Sequence, residues 1–321
     1  AYKIIKAETI SYDKNWKEQL KNAKNLSGLA LTQLDKSYGR FIGEKINQFL
    51  NGIKDKPKLI ASHGHTVFHQ PHHKITLQIG DGAEIASITG ITTISDFRSL
   101  DVALGGQGAP LVPIGDELLF NEYDYCLNIG GFANISAIMN NKRVAFDICP
   151  ANIVLNQLAN KLNKPFDKDG KSGQSGKTDP TLLKQLNQIG FYQLPYPKSL
   201  GKEWIEEFIL PVLTRSNVQI IDQLNTFYEH ISDQITSVIS GNSKKKVLIT
   251  GGGAYNKYLI ERIRAKTKTQ IIIPPKDIIE FKEALIFGLL GILRLNRKVN
   301  CLSTVTGAKR SSTSGVIHII Q

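Results

Sequence analysis

The chain has 321 residues, 41% of them hydrophobic and 21% charged, which is the composition of an ordinary globular protein and a length that favours two domains. Forty lysines and arginines against 28 aspartates and glutamates give a net charge of +12, which favours anionic ligands. Nucleic acid is one such ligand, but the lysines are dispersed and no DNA- or RNA-binding motif occurs, so we expect no nucleic-acid partner.

The first part of the chain has the pattern of a mixed α/β domain, with apolar residues at helical spacing in some stretches and in short extended runs elsewhere. In chain order, the predicted elements are a strand (residues 2–10), two helices (16–23 and 29–50), a strand (59–62), a loop rich in histidine, a strand (76–79), a short helix (82–88) and a strand (92–95). A glycine-rich connection over residues 105–110 is too irregular for a core element.

Near residue 123 the strand pattern restarts as an antiparallel meander, and helices follow. The predicted elements are strands over 125–129, 133–138 and 144–146, helices over 152–162, 180–188, 202–213 and 220–239, a strand over 246–250, a helix over 256–265, a strand over 271–273 and a helix over 281–295. Because the pattern resembles that of the first part, we expect two α/β domains with a crevice between them. We place the boundary just before residue 123.

The cysteines and the hydropathy pattern indicate where the protein works. Cys126, Cys149 and Cys301 are odd in number and far apart, with no CxxC pair, which argues against a disulfide framework or a zinc site and favours the cytoplasm. No apolar run reaches the length of a membrane span, and no signal peptide is visible, so we expect no membrane partner. The sequence begins at Ala1 without methionine, and we expect an N-terminal segment to precede it.

The stretch RVAFDICPANIVLNQL, residues 143–158, carries the strongest chemical signal. A short apolar strand is followed by Asp147, a turn that contains proline, and a helix. A carboxylate there lies at the rim of a sheet, where α/β folds bind ligands, and a helix N-terminus beside it suits a phosphate. Asp147 is therefore a candidate general base of a phosphotransferase. The alternative is that Asp147 only caps the helix, since aspartate is a favoured cap.

Four glycine-bearing turns each follow a predicted strand, and glycine there lets the backbone adopt a positive φ and come close to a ligand. The turns lie at residues 80–82, 105–109, 130–131 and 251–253. Strand, glycines and helix together form the geometry that binds a phosphate or nucleoside, so the four turns favour a nucleotide site over turns of purely structural use. No GxxxxGK[ST] occurs, which excludes a Walker-type loop, and no GxGxxG supports a dinucleotide fold.

Several other charged residues lie near these turns. Asp81, Asp96 and Asp101 are at strand ends or in loops, and Glu283 opens an apolar helix. For Asp81 and Asp101 we favour a cap or turn role. Arg98 follows a strand-end aspartate and has two alternatives, a pair with Asp96 or bidentate binding of an anionic substrate group.

The chain also has five histidines within a short stretch, a density that raises the possibility of a metal site. They are His63, His65, His69, His72 and His73. Metal ligands need fixed positions, and the predicted loop has no helix to fix their spacing. We therefore expect no metal ligands here.

Nine segments resemble the anhydro-N-acetylmuramic acid kinase family, in the family's order and over nearly the whole chain. They are SHGHTVFHQP (62–71), TLQIGDG (76–82), TGITTISDFRSLDVALGGQGAPLVP (89–113), LNIGGFANIS (127–136), FDICPAN (146–152), PKSLGKEW (197–204), TGGGAYN (250–256), KEALIFG (282–288) and VTGA (305–308). The block from DFR to GAPLVP is long and specific, so it carries most of the weight of the resemblance.

The resemblance implies an α/β protein with the two-domain actin-like ATPase fold, which is ribonuclease H-like and has ATP in its interdomain cleft. It implies residues 1–122 as domain I, completed by residues 297–321, and residues 123–296 as domain II. It also implies that water opens the 1,6-anhydro ring of the sugar while ATP phosphorylates O6, giving N-acetylmuramic acid 6-phosphate and ADP. A small-molecule sugar substrate, Mg²⁺ on the ATP phosphates and a homodimer belong to the same expectation.

The resemblance assigns roles to residues of this sequence. Asp147 matches the catalytic base that deprotonates the attacking water. Arg98 and Glu283 match positions associated with sugar binding, and the substrate-binding set that we predict also includes Asp96 and His63. The residues that match turns around the nucleotide are Gly130, Gly131, Asn152, Gly251, Gly252 and Gly253.

Two departures from the family pattern bear on activity. The family opens with a strand and a phosphate loop like MSGTSxDG, which nothing in this sequence matches, and residues 2–10 resemble the strand after that loop. The family's DxGPGN turn is DICPAN here, with Cys149 and Ala151 in place of glycines, which restricts positive φ and crowds a phosphate. Two alternatives therefore stay open, a non-catalytic sugar- or nucleotide-binding relative and a kinase of another amino sugar.

Overall fold

The computed structural model describes residues 2–239 and 243–320, and the chain divides into two units. Unit 1 consists of residues 1–115 and 283–321, and unit 2 consists of residues 116–282. The chain thus begins unit 1, forms all of unit 2, and then returns to unit 1. The predicted domain limits, after residues 122 and 296, fall close to two continuous helices, Pro113–Leu119 and Lys276–Leu295, and the units divide inside these helices.

The elements of the first part of the chain match most of the predicted helices and strands. In chain order they are α1 (Lys14–Asn22), a 3-10 turn (Ala23–Asn25), α2 (Gly28–Leu50), β1 (Ile60–Ala61), β2 (His65–Gln70), a 3-10 turn (Pro71–His73), β3 (Ile75–Ile79), α3 (Gly82–Thr89), β4 (Thr93–Ser95), α4 (Ser99–Ala103) and α5 (Pro113–Leu119). The short helix α4 is additional to the prediction, and α5 lies in a stretch for which no element was predicted.

The remaining elements belong to unit 2 and to the end of the chain. They are β5 (Tyr125–Ile129), β6 (Phe132–Met139), β7 (Lys142–Pro150), α6 (Asn152–Asn160), a 3-10 turn (Lys168–Gly170), α7 (Lys171–Ser175), α8 (Pro180–Asn187), a 3-10 turn (Gly190–Gln193), α9 (Lys202–Trp204), a π-helical turn (Ile205–Ile209), α10 (Leu210–Arg215), α11 (Ile220–Val238), β8 (Lys246–Thr250), a 3-10 turn (Gly252–Tyr255), α12 (Lys257–Lys266), β9 (Gln270–Ile272), α13 (Lys276–Leu295), α14 (Ser303–Thr306) and β10 (Val316–His318).

Unit 1 has a three-stranded sheet in the order β1-β4-β10 and a separate antiparallel hairpin of β2 and β3. Strand β1 is parallel to β4, and β10 from the end of the chain is antiparallel to it. The Ser27 hydroxyl accepts a hydrogen bond from the Ala30 N–H and thereby caps α2, which packs closely on α3. This close packing requires Gly39, because a Cβ there would lie 2.7 Å from the Asp81 carbonyl oxygen.

Two sequence predictions for unit 1 are wrong. The described residues 2–10 form no strand, because their mostly exposed backbone has no partner strand to supply the ladder of hydrogen bonds. The histidine-rich stretch is not a loop throughout, because residues 65–70 pair with β3 as the strand β2. The register of the hairpin shifts between Thr66 and Phe68, which interrupts the alternation of exposed and partly buried side chains in β2, and for this reason the sequence pattern missed the strand.

Unit 2 is built on a five-stranded sheet in the order β7-β6-β5-β8-β9. The strands β5, β6 and β7 form the predicted antiparallel meander, and β8 and β9 extend the sheet as parallel strands next to β5. In order of appearance this is 3-2-1-4-5, the order of a ribonuclease H-like sheet. The α/β class and this fold are therefore confirmed. Fully buried residues of β5 and β8, such as Leu127 and Ile249, belong to the same hydrophobic core as the apolar side of α11.

One predicted helix is interrupted. Residues 202–213 form α9, a π-helical turn and α10 in succession instead of a single α-helix. Pro211 in the first turn of α10 has no N–H to donate, and its ring clashes with the carbonyl four residues earlier, which a π-helical turn relieves. Elsewhere, no helix in the described ranges has the length and apolar character needed to cross a membrane.

Candidate active site

The two glycine turns of unit 2 lie side by side at one edge of its sheet. Strands β5 and β8 are parallel neighbours, with Asn128 opposite Thr250, so the turns that follow them leave the sheet at the same edge. The first turn contains Gly130 and Gly131, and the second begins at Gly251. Ligands of α/β sheets bind at the carboxyl ends of such parallel strands, so this edge is the first candidate for a ligand site.

Asn152 connects the first turn to the helix α6. Its backbone N–H donates to the Gly130 carbonyl at 3.2 Å, and its side-chain amide donates to the Ile129 carbonyl at 3.4 Å. The side-chain nitrogen would lie 3.8 Å from a Cβ at Gly252 in the second turn. The structure therefore brings together the six residues predicted to surround a nucleotide.

Glycine has two different uses in these turns. Gly251 has a φ of +82° and lies so close to β5 that a Cβ would be 2.6 Å from the Asn128 side-chain oxygen, so the fold itself requires glycine there. At Gly130, Gly131 and Gly252 the nearest neighbouring atom would be 3.5 Å or more from a Cβ. A Cβ at these three positions would make only ordinary van der Waals contacts, and Gly131 and Gly252 are exposed, so a ligand can reach the backbone there, as a phosphate site requires.

Sequence reasoning missed Asn128. Its side chain lies between the two glycine turns, because its amide nitrogen is near Gly130 and its oxygen is near Gly251. The one signal in the sequence is an asparagine at the end of an otherwise apolar strand, directly before Ile-Gly-Gly. A polar side chain at that point has a reason to face a site rather than the core.

Asp147 lies near the end of β7 and does not cap the helix that follows. In the described structure the cap position of α6 is Ala151, which has no side-chain cap bond. One carboxylate oxygen of Asp147, Oδ2, accepts a hydrogen bond from the Leu200 N–H at 2.8 Å. Burial raises the pKa of Asp147, and the bond from Leu200 partly opposes that rise. A half-buried, oriented carboxyl group with a raised pKa is suited to accept a proton.

The turn between Asp147 and α6 accepts its non-glycine residues without strain from positive φ. Neither Cys149 nor Ala151 is among the residues with positive φ, and Ala151 has a φ of −131°. Both side chains are fully buried in the core of unit 2. The backbone of this turn therefore needs no positive φ at these two positions, and crowding of a bound phosphate by the two side chains stays a prediction.

Arg98 and His63 form the centre of a polar cluster in unit 1. The guanidinium group donates to His63 Nε2 from Nε at 3.0 Å and from the Nη2 atom at 2.8 Å, and its Nη1 atom donates to the Gly108 carbonyl at 2.6 Å. The predicted alternative of an Arg98–Asp96 pair is not realised among the described ion pairs. Burial and the charge of Arg98 lower the pKa of His63, which keeps the imidazole neutral as an acceptor.

Glu283 and Asp96 lie close to this cluster. The negative charge of Glu283 acts on both Arg98 and His63, and Phe287, one turn later on α13, packs edge-on against the His63 ring at 4.9 Å. Asp96 has a φ of +52°, an uncommon conformation for a residue with a side chain, and its carboxylate accepts from the Ser99 N–H. Asp96 and His63 both line a depression of about 230 Å³ in unit 1.

The two aspartates predicted to be structural differ from each other. Asp81 caps α3 through the Glu84 N–H and also pairs with Lys36, as a cap role predicts. Asp101 is neither a cap nor an ordinary turn residue, because it is fully buried and accepts from the Gly108 N–H and from the Thr306 hydroxyl. Its partner Thr306 is far away in the sequence, which is why local pattern gave no sign of the contact.

Two further observations concern the surroundings of these clusters. A larger depression of about 520 Å³ in unit 2, bordered by α8, α10 and residues 216–218, contains none of the predicted site residues. Within residues 2–239 and 243–320, no group of three or more His, Cys, Asp and Glu is placed to hold a metal ion.

The chain is similar to known proteins over almost its full length. A family model described as "Anhydro-N-acetylmuramic acid kinase" matches residues 3–319. A protein of that name from Hydrogenovibrio crunogenus is 34% identical over 329 residues, covering 97% of this chain and 89% of the relative. Its namesakes from Vibrio cholerae and Pasteurella multocida are each 35% identical, covering 90% of this chain and 83% and 81% of those relatives.

Among solved structures, an activator of one dehydratase and a component of another resemble part of the chain. The activator of 2-hydroxyisocaproyl-CoA dehydratase from Clostridium difficile, solved with bound ADPNP, is 16% identical and gives a TM-score of 0.35 over 60% of this chain and 64% of that one. Component A of (R)-2-hydroxyglutaryl-CoA dehydratase from Acidaminococcus fermentans is 13% identical and gives a TM-score of 0.37 over 63% of this chain and 78% of that one.

Proposed function

The chain belongs to the anhydro-N-acetylmuramic acid kinase family, and from this premise we propose that it opens the 1,6-anhydro ring of anhydro-N-acetylmuramic acid and transfers a phosphoryl group from ATP to O6. The observation that carries the proposal is the carboxyl group of Asp147, which is half-buried, has a raised pKa and is held by the Leu200 N–H. In this proposal Asp147 is the general base of the reaction.

The proposed reaction couples opening of the anhydro ring by water to phosphoryl transfer onto O6. The carboxylate of Asp147 takes a proton from a water molecule, and the water oxygen forms a bond to the anomeric carbon, C1. The bond between C1 and O6 breaks, and O6 accepts the γ-phosphoryl group of ATP. The products are N-acetylmuramic acid 6-phosphate and ADP. A raised pKa makes Asp147 a better proton acceptor once it is ionised, and its fixed Oδ2 leaves Oδ1 to face the water.

The glycine turns of unit 2 fit the phosphates of ATP. The open backbone at Gly130, Gly131 and Gly252 supports close approach of an anion, and Asn152 supplies an amide beside both turns. Mg²⁺ neutralises phosphate charge in kinases, and most of its ligands come from the phosphates and water. We therefore treat Mg²⁺ as part of the nucleotide substrate and assign it no protein ligands.

In unit 1 we assign the sugar to the cluster of Arg98, His63, Glu283 and Asp96. A buried guanidinium group offers positive charge and directed donors to an anionic substrate group, and N-acetylmuramic acid carries a carboxylate. The carboxylates of Glu283 and Asp96 are acceptors for sugar hydroxyl groups. The contact of Arg98 with His63 fixes the orientation of the guanidinium group.

Replacing Asp147 by asparagine tests the proposal. The full-length protein is expected to form ADP and N-acetylmuramic acid 6-phosphate from ATP, Mg²⁺ and the anhydro sugar, and Asp147→Asn is expected to lose about 10²–10⁴-fold in kcat, because an amide cannot take the proton. Coupled detection of ADP and mass spectrometry of the sugar measure both products. Asp55→Asn, the same change at an exposed loop position of unit 1, is the matched control.

The outcomes separate the parts of the proposal. No ADP formation by the full-length protein would reject the kinase and favour a binding protein, which calorimetry with the sugar then measures. Turnover that survives in Asp147→Asn would keep the kinase and reject the base. Phosphorylation of N-acetylmuramic acid with an intact ring, but not of the anhydro sugar, would point to a kinase of another substrate.

A further inference from the structure

Residues 197–200 run beside the end of β7 that carries Asp147. The Asp147 N–H donates to the Lys198 carbonyl at 2.9 Å, and the Leu200 N–H donates to the Asp147 side chain at 2.8 Å. The second bond goes to the carboxylate instead of the main chain, so this segment holds the backbone and the side chain of Asp147 at the same time. The direction of the carboxyl group depends on where the segment lies.

The side chain of Lys198 fixes the segment to the body of unit 2. Its ammonium group donates to the carbonyls of Phe191 and Tyr192, at 3.0 and 3.3 Å, and lies 4.6 Å from the centre of the Phe191 ring. In the described residues Lys198 forms no ion pair with a carboxylate. The ammonium group of Lys198 therefore binds main-chain carbonyls of the 3-10 turn Gly190–Gln193.

The turn Gly190–Gln193 is held in place by contacts of Phe191 and Tyr192. Phe191 is buried and its ring packs against Trp204 at 5.3 Å. The hydroxyl group of Tyr192 is within hydrogen-bond distance, 2.9 Å, of Nε2 of the fully buried His230. A lysine that joins such a turn to a connection without helix or strand restricts the position of that connection, because its ammonium group donates to both carbonyls at once.

We propose that Lys198 is the positioning residue of the Asp147 carboxyl group: by anchoring residues 197–200 it keeps the Leu200 N–H on Oδ2 and leaves Oδ1 for the water. This inference rests on the proposed function, because it assigns Asp147 the role of base. Lys198 does not touch the reacting atoms in this arrangement. Its effect passes through the main chain of its own segment.

The anchor has a measurable consequence for titration. The Leu200 N–H lowers the pKa of Asp147 against the effect of burial, so loss of that bond raises the pKa. The titratable groups around Asp147 include Cys149, whose thiol stays neutral because burial raises its pKa, and the ammonium group of Lys198, whose charge also acts on Cys149. The base must be ionised to act, so a higher pKa moves the acid limb of the kcat/KM profile to higher pH.

The test compares Lys198→Met with Lys198→Arg. We expect Lys198→Met to lower kcat about 10- to 100-fold through misplacement of the base, with the KM for ATP within about twofold of the parent value and the acid limb shifted upward. Lys198→Arg keeps the charge and donors and is expected to recover part of kcat. Lys184→Met, an exposed lysine on α8 of the same unit, is the control for loss of one charge.

Three results would overturn the inference. A loss of kcat with an unmoved acid limb means that Lys198 only stabilises the fold, which a thermal melt of each variant checks. A raised KM for the sugar with unchanged kcat means that Lys198 binds substrate. A ¹³C titration of the Asp147 carboxyl group in parent and Lys198→Met needs no turnover, so it tests the anchor even if the kinase proposal fails, and an identical pKa in both proteins rejects it.

Discussion

His63 and Arg98 form a contact that depends on the protonation state of the imidazole. Nδ1 of His63 lies 3.0 Å from the Gly64 carbonyl and must carry the proton of the neutral ring, since a carbonyl only accepts. Nε2 is then free to accept from Arg98. A proton on Nε2 would place an N–H against a guanidinium group and break the contact.

Replacing His63 by glutamine tests this contact through stability. The pKa of His63 is lower in the folded state than in the unfolded chain, where it is near 6.5. Below that pH the unfolded chain binds a proton that the folded state does not, so the free energy of unfolding falls as the pH drops. His63→Gln, whose amide oxygen still accepts from Arg98, is expected to lose less stability than the parent between pH 7 and pH 5. Urea denaturation at both pH values measures the difference.

The exposed His72 provides the control for the histidine experiment, because His72→Gln makes the same chemical change on the surface of a 3-10 turn. This variant is expected to follow the parent between the two pH values. If His63→Gln also follows the parent, the imidazole does not resist protonation, and the acceptor role of His63 is rejected.

The candidate site residues that the sequence could indicate are those that are recognised from their immediate neighbours in the chain. Asp147 ends an apolar strand before a turn, and the glycines of the two turns follow strands directly, so strand ends and backbone freedom were enough to select them. Asn128 and Lys198 were missed, and Asp101 was given the wrong role, because the roles of all three depend on contacts with distant parts of the chain. The partner of Lys198 in this sense is Asp147, and no spacing rule connects the two.

The glycine-rich loop over residues 105–109 is a second element that holds a site residue in place. Asp101 accepts from the Gly108 N–H at 2.8 Å and from the Thr306 hydroxyl at 2.8 Å, and the Gln107 N–H donates to the Thr306 carbonyl at 2.8 Å. The carbonyl of Gly108 then accepts from Arg98. The fully buried carboxylate of Asp101 thus fixes the loop that orients the guanidinium group.

Changing Asp101 to asparagine is expected to cost about 1–3 kcal/mol of stability, because the amide has one accepting oxygen where the carboxylate has two, and one of the two buried donors then faces an NH₂ group that cannot accept. The KM for the sugar is expected to rise as Arg98 loses its support. The affinity for ATP is expected to stay the same, because the turns that we propose to bind the nucleotide belong to unit 2. Chemical denaturation, sugar kinetics and calorimetry with ATP measure the three quantities.

The variant Asp55→Asn is the control for Asp101→Asn, since that aspartate is exposed on a loop of the same unit. An unchanged midpoint of denaturation in Asp101→Asn would show that the buried carboxylate does not hold the loop. If Asp101→Asn weakens the affinity for ATP as much as it raises the KM for the sugar, the effect is not confined to unit 1.

Helices and strands were predictable when their pattern is local and does not depend on a partner elsewhere in the chain. The long helices α2 and α11 were found from periodicity, because an amphipathic pattern over many residues is specific. The strand predicted over residues 2–10 failed because β pairing needs a partner that local sequence does not name. The break at the π-helical turn Ile205–Ile209 could have been predicted, since Pro211 signals a helix interruption.

The two units differ in how the chain builds them. The sheet of unit 2 takes its strands from one continuous stretch, residues 125–272, whereas the sheet of unit 1 needs β10 from the end of the chain beside β4. The last segment also supplies Cys301 and Thr306 to the buried Asp101, and Asn300 donates to the carbonyls of Leu290 and Ser314. Unit 1 is therefore complete only when residues 283–321 have joined it.

Deleting residues 297–321 is expected to open unit 1 and leave unit 2 folded, because the deletion removes β10 and both distant partners of Asp101 while every strand of the five-stranded sheet remains. Hydrogen exchange measured by mass spectrometry is expected to rise in peptides that contain β4 and the 105–109 loop and to stay slow in β5 and β8. Deleting residues 319–321, which keeps β10, is the control. If β5 and β8 open together with β4, the strands of unit 2 depend on unit 1, and the independence that their continuous stretch of chain predicts is rejected.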